Sequence, residues 1–117
     1  MGSAKLIAIG LGLAMAWPAL AEDWQVLDGA GINAALTARV LGYDPATQQD
    51  FKADGTTLYH AGGKDSAGRW EVRGDQYCSV WPPSDHWACY DVAVAGNKVK
   101  FVAEDGSETV GGYIDLN

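Results

Sequence analysis

Positive charge, cysteine, histidine and long apolar runs are all scarce in this chain. Eight Lys and Arg stand against 15 Asp and Glu, a formal net charge of −7 over 117 residues. A surface this poor in clustered Lys and Arg repels phosphate backbones and anionic lipid, which argues against nucleic-acid and membrane-surface roles. The acidity itself reads first as solubility. No run beyond the first 20 residues is apolar enough to span a bilayer, so no stable membrane insertion is expected. The only histidines are His60 and His86, and the only cysteines are Cys78 and Cys89. Neither histidine lies beside a Ser or Cys nucleophile in an elbow or triad motif. Asp85 and His86 read as neighbours on an extended strand, where adjacent side chains point to opposite faces. There is no EF-hand loop, and the mature chain has no Gly-rich phosphate loop and no recognisable carboxylate pair. The Gly10-x-Gly12-x-x-x-Ala16 spacing superficially suggests a dinucleotide site, but it follows no strand and opens no βαβ unit. The expectation is a protein that is not an enzyme and carries neither cofactor nor metal.

What is present begins with an export signal. Lys5 supplies a positive n-region, Leu6 to Trp17 is a short apolar run, Pro18 breaks it, and Ala19-Leu20-Ala21 fits an A-x-A cleavage site. Residues 1–21 therefore read as a signal peptide and residues 22–117 as one domain, periplasmic or secreted. No cysteine follows the run, which argues against a lipid anchor. The leader carries Lys5 and no acid, so the mature segment is one charge more negative than the whole chain. A domain this small buries little more than ~60% of its unfolded surface, and its core alone is marginal.

From Gln49 onward the pattern is β. Turn signals recur at Asp54-Gly55, Gly62-Gly63 to Gly68, Gly74-Asp75, Pro82-Pro83, Gly96-Asn97, Asp105-Gly106 and Gly111-Gly112. Between them lie short runs: 50–53, 56–60, 69–73, 76–81, 87–95, 98–104 and 109–115. Val99 and Phe101 alternate with Lys98 and Lys100, and Tyr90, Val92 and Val94 with Asp91 and Ala93, the signature of half-buried antiparallel strands. Before them, Arg39 to Tyr43 looks extended, and a short helix is expected near Gly31 to Leu36, with Asp28 or Gly31 as its start. The fold class is mainly β: a small antiparallel meander of about 7–8 strands, closed into a curved sheet or lipocalin-like barrel, with one short N-terminal helix at one end and one disulfide. A flat two-sheet sandwich is the alternative.

The stretch from Tyr77 to Tyr90 holds both cysteines, two tryptophans, His86 and a Pro-Pro pair. In an oxidising compartment the cysteines are expected to form a Cys78–Cys89 disulfide. That closes a loop of about a dozen residues, for which chain entropy gives roughly 3 kcal/mol. The competing reading, a soft-metal or redox site built from Cys78, His86 and Cys89, matches no zinc-finger spacing and lacks a fourth ligand. Trp70, Tyr77 and Tyr90 read as core or disulfide-flanking residues. Trp81, Pro82, Pro83, His86 and Trp87 form the candidate binding tip, because Trp and Tyr dominate contact hot spots. Trp81 and Trp87 could equally fold back over a barrel mouth. The function expected is a non-enzymatic binding module for a periplasmic protein, an enzyme inhibitor among the options. The alternative is a lipocalin-like carrier whose aromatics line a cavity for a small ligand.

Gly55-Thr56-Thr57-Leu58-Tyr59, Gly68-Arg69-Trp70, Tyr77-Cys78-Ser79-x-Trp81-Pro82-Pro83 and Trp87-x-Cys89-Tyr90 together cover most of the mature segment. In these motifs the chain resembles small exported proteobacterial proteins classed as domains of unknown function. The resemblance implies export and the paired YC and CY motifs, and no activity. Some relatives carry a dihydrodipicolinate-reductase label, but that reaction needs a longer chain with a nicotinamide-binding fold. The architecture also looks like that of periplasmic inhibitors of lysozyme or proteases, although no inhibitor motif matches residue by residue.

Overall fold

The computed structural model describes residues 22–115; the signal peptide read in residues 1–21 lies outside them. The chain runs β1 (Gln25–Val26), α1 (Gly29–Leu36), β2 (Arg39–Asp44), β3 (Thr47–Phe51), β4 (Thr56–Ala61), β5 (Lys64–Arg73), β6 (Gln76–Val80), β7 (Ala88–Ala95), β8 (Lys98–Val102) and β9 (Glu108–Tyr113). Strands β2 to β9 pair antiparallel in sequence order, and β9 pairs back onto β2 through Gly112↔Gly42 and Tyr113↔Leu41. The result is a closed eight-stranded up-and-down barrel, not a sandwich. β1 is a ninth strand that adds to β7 at Gln25↔Val94 and Val26↔Ala93. The opening segment before the helix carried no strand signal, because two exposed residues show no alternation.

Helix α1 closes one end. Asp28 caps it by accepting from Gly31 N at 2.8 Å, so the earlier of the two expected starts is the one used. The helix start presses against the β5–β6 turn: Gly29 N donates to Asp75 Oδ1 at 2.8 Å, and a Cβ on Gly29 would lie 2.3 Å from the Gly74 carbonyl oxygen. Ile32 and Leu36 face inward and are completely buried, meeting Leu41, Phe51, Trp70, Val92 and Val99. Trp70 is a core residue, as its strand pattern suggested, and its Nε1 donates to the Lys52 carbonyl at 3.0 Å.

Alternation along each strand sets the interior. Leu41, Phe51, Trp70, Tyr77, Val92, Val99 and Phe101 point in, and the charged residues between them point out. Several expected boundaries shift. β3 runs Thr47–Phe51 where a strand at 50–53 was expected, and β5 begins at Lys64, five residues earlier than expected. Gly68 therefore lies inside β5, and Gly111 and Gly112 inside β9, although all three read as turn signals. The physical reason is close approach: a Cβ on Gly68 would lie 2.6 Å from the Trp81 ring, and one on Gly111 2.9 Å from the Tyr43 ring. By contrast, Gly62 and Gly63 do make a turn, with φ of 58° and 84°.

Candidate functional site

The end of the barrel opposite the helix is open. The ends of β2, β4, β6 and β8 and the starts of β3, β5, β7 and β9 surround a cavity of about 630 Å3. This lies within the usual size range of small-molecule sites. Its floor is the barrel core. Phe101 and Tyr77 lie 5.2 Å apart between ring centroids, and both rest on Phe51. Tyr90 leans on the pair at 5.9 Å from Tyr77 and 6.4 Å from Phe101. On the wall above, Tyr43 and Tyr59 lie 6.1 Å apart, on either side of β3. Ser79 and Thr109 complete the wall.

Trp81 leaves β6 and turns inward. Its ring packs on the bare backbone of Gly68 and meets Tyr59 edge-on at 6.1 Å and 74°. Six aromatic rings thus share the lining with small and polar residues, and hydroxyl groups are distributed around it.

One buried amide organises those hydroxyls. Gln49 is 6% exposed. Its Oε1 accepts from the Tyr43 hydroxyl at 2.7 Å, and its Nε2 donates to Thr57 Oγ1 at 2.8 Å and to the Tyr77 hydroxyl at 3.3 Å. Thr57 in turn donates to the Asp50 carbonyl at 2.8 Å. A buried primary amide without partners is costly, and this network satisfies both ends of it. Burial pushes the Tyr77 hydroxyl up to about 12, against the opposing hydrogen bonds of Ser79 and Gln49. The Tyr43 hydroxyl is driven far above the ordinary tyrosine range, chiefly by burial and then by Tyr77, Tyr59 and Tyr90. Both stay protonated at neutral pH and offer neutral hydrogen-bonding groups, not bases. Among the described residues, Asp65 is the one charged residue in the lining, and its Oδ1 lies 2.6 Å from His60 Nδ1.

The five residues of the expected binding tip separate. Trp81 and Pro82 line the cavity, while Pro83 and His86 are exposed on the connecting loop. Trp87 lies outside the barrel, its ring 4.3 Å from the Arg73 guanidinium carbon. Asp85 and His86 sit in that irregular loop, so the strand argument used to separate them does not apply; His86 N donates to Ser84 Oγ at 3.1 Å. Cys78 and Cys89 face each other in register and are joined by a disulfide, which leaves no thiolate for the metal reading. Tyr77 and Tyr90 flank that disulfide as expected and also form the cavity floor. Sequence reasoning missed Tyr43, Gln49, Tyr59 and Phe101 as site residues. For Tyr43, Tyr59 and Phe101 the available signal was an aromatic residue at an alternating position of an extended run.

No protein-family model, curated protein or solved structure matches this chain. No helix among the described residues is long and apolar enough to cross a membrane.

Proposed function

We propose that this protein is an exported, non-enzymatic binding module that holds a small organic molecule in the mouth of its barrel. The alternative weighed from sequence, the ligand carrier, thereby overtakes the loop-contact reading. The observation that carries it is the open cavity of about 630 Å3 walled by tyrosine, tryptophan and phenylalanine rings. A barrel kept only for stability gains from filling its interior, because close packing is worth several kcal/mol per core. Here the buried Gln49 network holds hydroxyls around an open space instead. Export to the periplasm, read from residues 1–21, belongs to the same proposal.

The test is a neutral environment-sensitive probe, N-phenylnaphthylamine, with native mass spectrometry on freshly purified protein. The probe brightens on wild type. Thr109→Trp, an exposed lining position, fills the mouth and weakens the probe at least tenfold with unchanged thermal stability. No brightening, together with a native mass equal to the bare chain, refutes the reading.

A second reading rests on another observation: Pro82, Pro83, Ser84, Asp85 and His86 are all exposed in succession. A stiff exposed loop of this kind suits contact with a protein partner, including inhibition of an enzyme. Pull-downs from periplasm with wild type and an Asp85→Ala, His86→Ala double variant decide it. Identical partner profiles remove this reading.

A further inference from the structure

We propose that the ligand of the barrel mouth is a small organic cation, a quaternary or protonated amine, held by the faces of the aromatic rings. This rests on the small-ligand reading above. Three observations separate a cation from a neutral or anionic ligand.

The first is the lining. Among the described residues it contains six aromatic rings, neutral hydroxyls and the Gln49 amide, and no Lys, Arg or His; its one charged residue, Asp65, turns its carboxylate to His60 at the rim. A carboxylate or phosphate ligand would find no cationic partner there. Ring faces carry partial negative charge and attract ammonium groups, the physical basis of aromatic cages for choline and methylated amines.

The second is how the protein uses its own cations. Among the described residues, three basic side chains lie over rings: Arg39 over Tyr113 at 3.7 Å, Arg73 over Trp87 at 4.3 Å and Lys100 over Trp24 at 4.5 Å. None of those rings lines the cavity. The rings inside it have no resident cation.

The third is the distribution of charge between the two ends. The turns and strand starts around the mouth carry Asp44, Asp65, Asp85, Glu104, Asp105 and Glu108, all exposed, against Lys64 and against Lys100, which pairs with Glu108 at 3.7 Å. The helix end is mixed, with Arg39, Lys52, Arg73 and Lys98 beside Asp28, Asp54, Asp75 and Asp115. A single-sign field at a cleft mouth raises the local concentration of the opposite ion.

Three probes of one shape test the charge. Choline has a trimethylammonium group; neohexyl alcohol is its neutral isostere with carbon in place of nitrogen; tert-butylacetic acid as its anion carries the opposite charge. Each competes against N-phenylnaphthylamine on the wild-type protein. Choline is expected to displace the probe at least tenfold more tightly than the alcohol, with the advantage shrinking in high salt, and the anion not to displace it. In Tyr59→Leu the preference for choline falls at least threefold, and in Asp65→Asn, an exposed position that does not endanger folding, it falls likewise. If the alcohol binds as tightly as choline, or both variants keep the full preference, the cation inference is wrong while the cavity reading stands. If N-phenylnaphthylamine and all three probes fail to bind, both are wrong.

Discussion

Gly68→Ala is the sharpest single perturbation of the mouth. The new methyl group would sit 2.6 Å from Trp81 Cε3, 2.8 Å from Trp81 Cδ2 and 2.7 Å from the Val80 carbonyl oxygen. The ring must therefore retreat by about 0.8 Å to restore ordinary contact. The carbonyl has less freedom, because Val80 is held in register with Arg69. Overpacking of this kind costs about 1–3 kcal/mol. The alanine returns about 0.5–1 kcal/mol by restricting the unfolded chain. The net expectation is about 1–2 kcal/mol of destabilisation. For a domain of this size that lowers Tm by roughly 4–8 °C per kcal/mol.

A double-mutant cycle assigns the loss to the ring. Thermal unfolding is followed by circular dichroism for Gly68→Ala, Trp81→Ala and the pair. With the indole removed, the methyl group meets only the carbonyl, so the Gly68→Ala penalty shrinks by about 0.5–1 kcal/mol. Gly68→Ala also displaces the Trp81 wall, so N-phenylnaphthylamine binds it more weakly than wild type. An equal penalty in both backgrounds, with probe binding unchanged, refutes the claim that this glycine exists to admit Trp81.

Two further outcomes concern the barrel itself. Replacing both Cys78 and Cys89 with serine, or reducing the native protein, costs about 3 kcal/mol in denaturant unfolding, and native protein titrates with no free thiol; a stability change below about 1 kcal/mol overturns this. The Asp115 carboxylate accepts from Arg39 Nε at 2.9 Å, from Arg39 through a second nitrogen at 3.2 Å and from Val40 N at 2.9 Å, which holds it below the ordinary carboxylate range. Because its folded value is depressed, its stabilisation is complete above the ordinary value of 3.8 and is lost as pH falls below that. With Arg39 partly exposed, Asp115→Asn is expected to cost about 1 kcal/mol at pH 7 and little at pH 2; an equal loss at both pH values contradicts the assignment.

Much of the barrel was legible because its strands obey alternation. Val99 and Phe101 against Lys98 and Lys100, and Tyr90, Val92 and Val94 against their neighbours, assign interior and exterior without coordinates. The Cys78–Cys89 pair and the Gly74-Asp75 and Gly96-Asn97 turns followed from residue chemistry. What sequence reading missed had non-local causes. Gly68, Gly111 and Gly112 look like turn punctuation, yet Gly68 and Gly111 lie under rings contributed by other strands. The cavity was offered only as an alternative, because Tyr43, Gln49, Tyr59 and Phe101 come from four strands and meet only when β9 closes onto β2. Gln49 gave no signal at all; a glutamine in the polar run 44–50 reads as surface until its partners Tyr43, Thr57 and Tyr77 are placed around it.

The two staples are best understood from where the barrel is weakest. Six of its eight strand pairings hold five or six residue pairs each. The exceptions are β6–β7, with three, and β9–β2, with two. The disulfide crosses the first of these short seams, and the Arg39–Asp115–Val40 clamp holds the second, helped by the Tyr113 hydroxyl donating to the Ala35 carbonyl at 2.7 Å. Opening either seam would turn a closed barrel into a sheet with two free edges, each able to pair with another chain. It would also divide the cavity. Tyr77 pairs with Tyr90 across the first seam, and Tyr43 and Thr109 lie on either side of the second. Reduction and acid therefore weaken the same property, closure of the barrel: one removes the covalent tie across the first short seam, the other the ion pair that braces the second at the helix end.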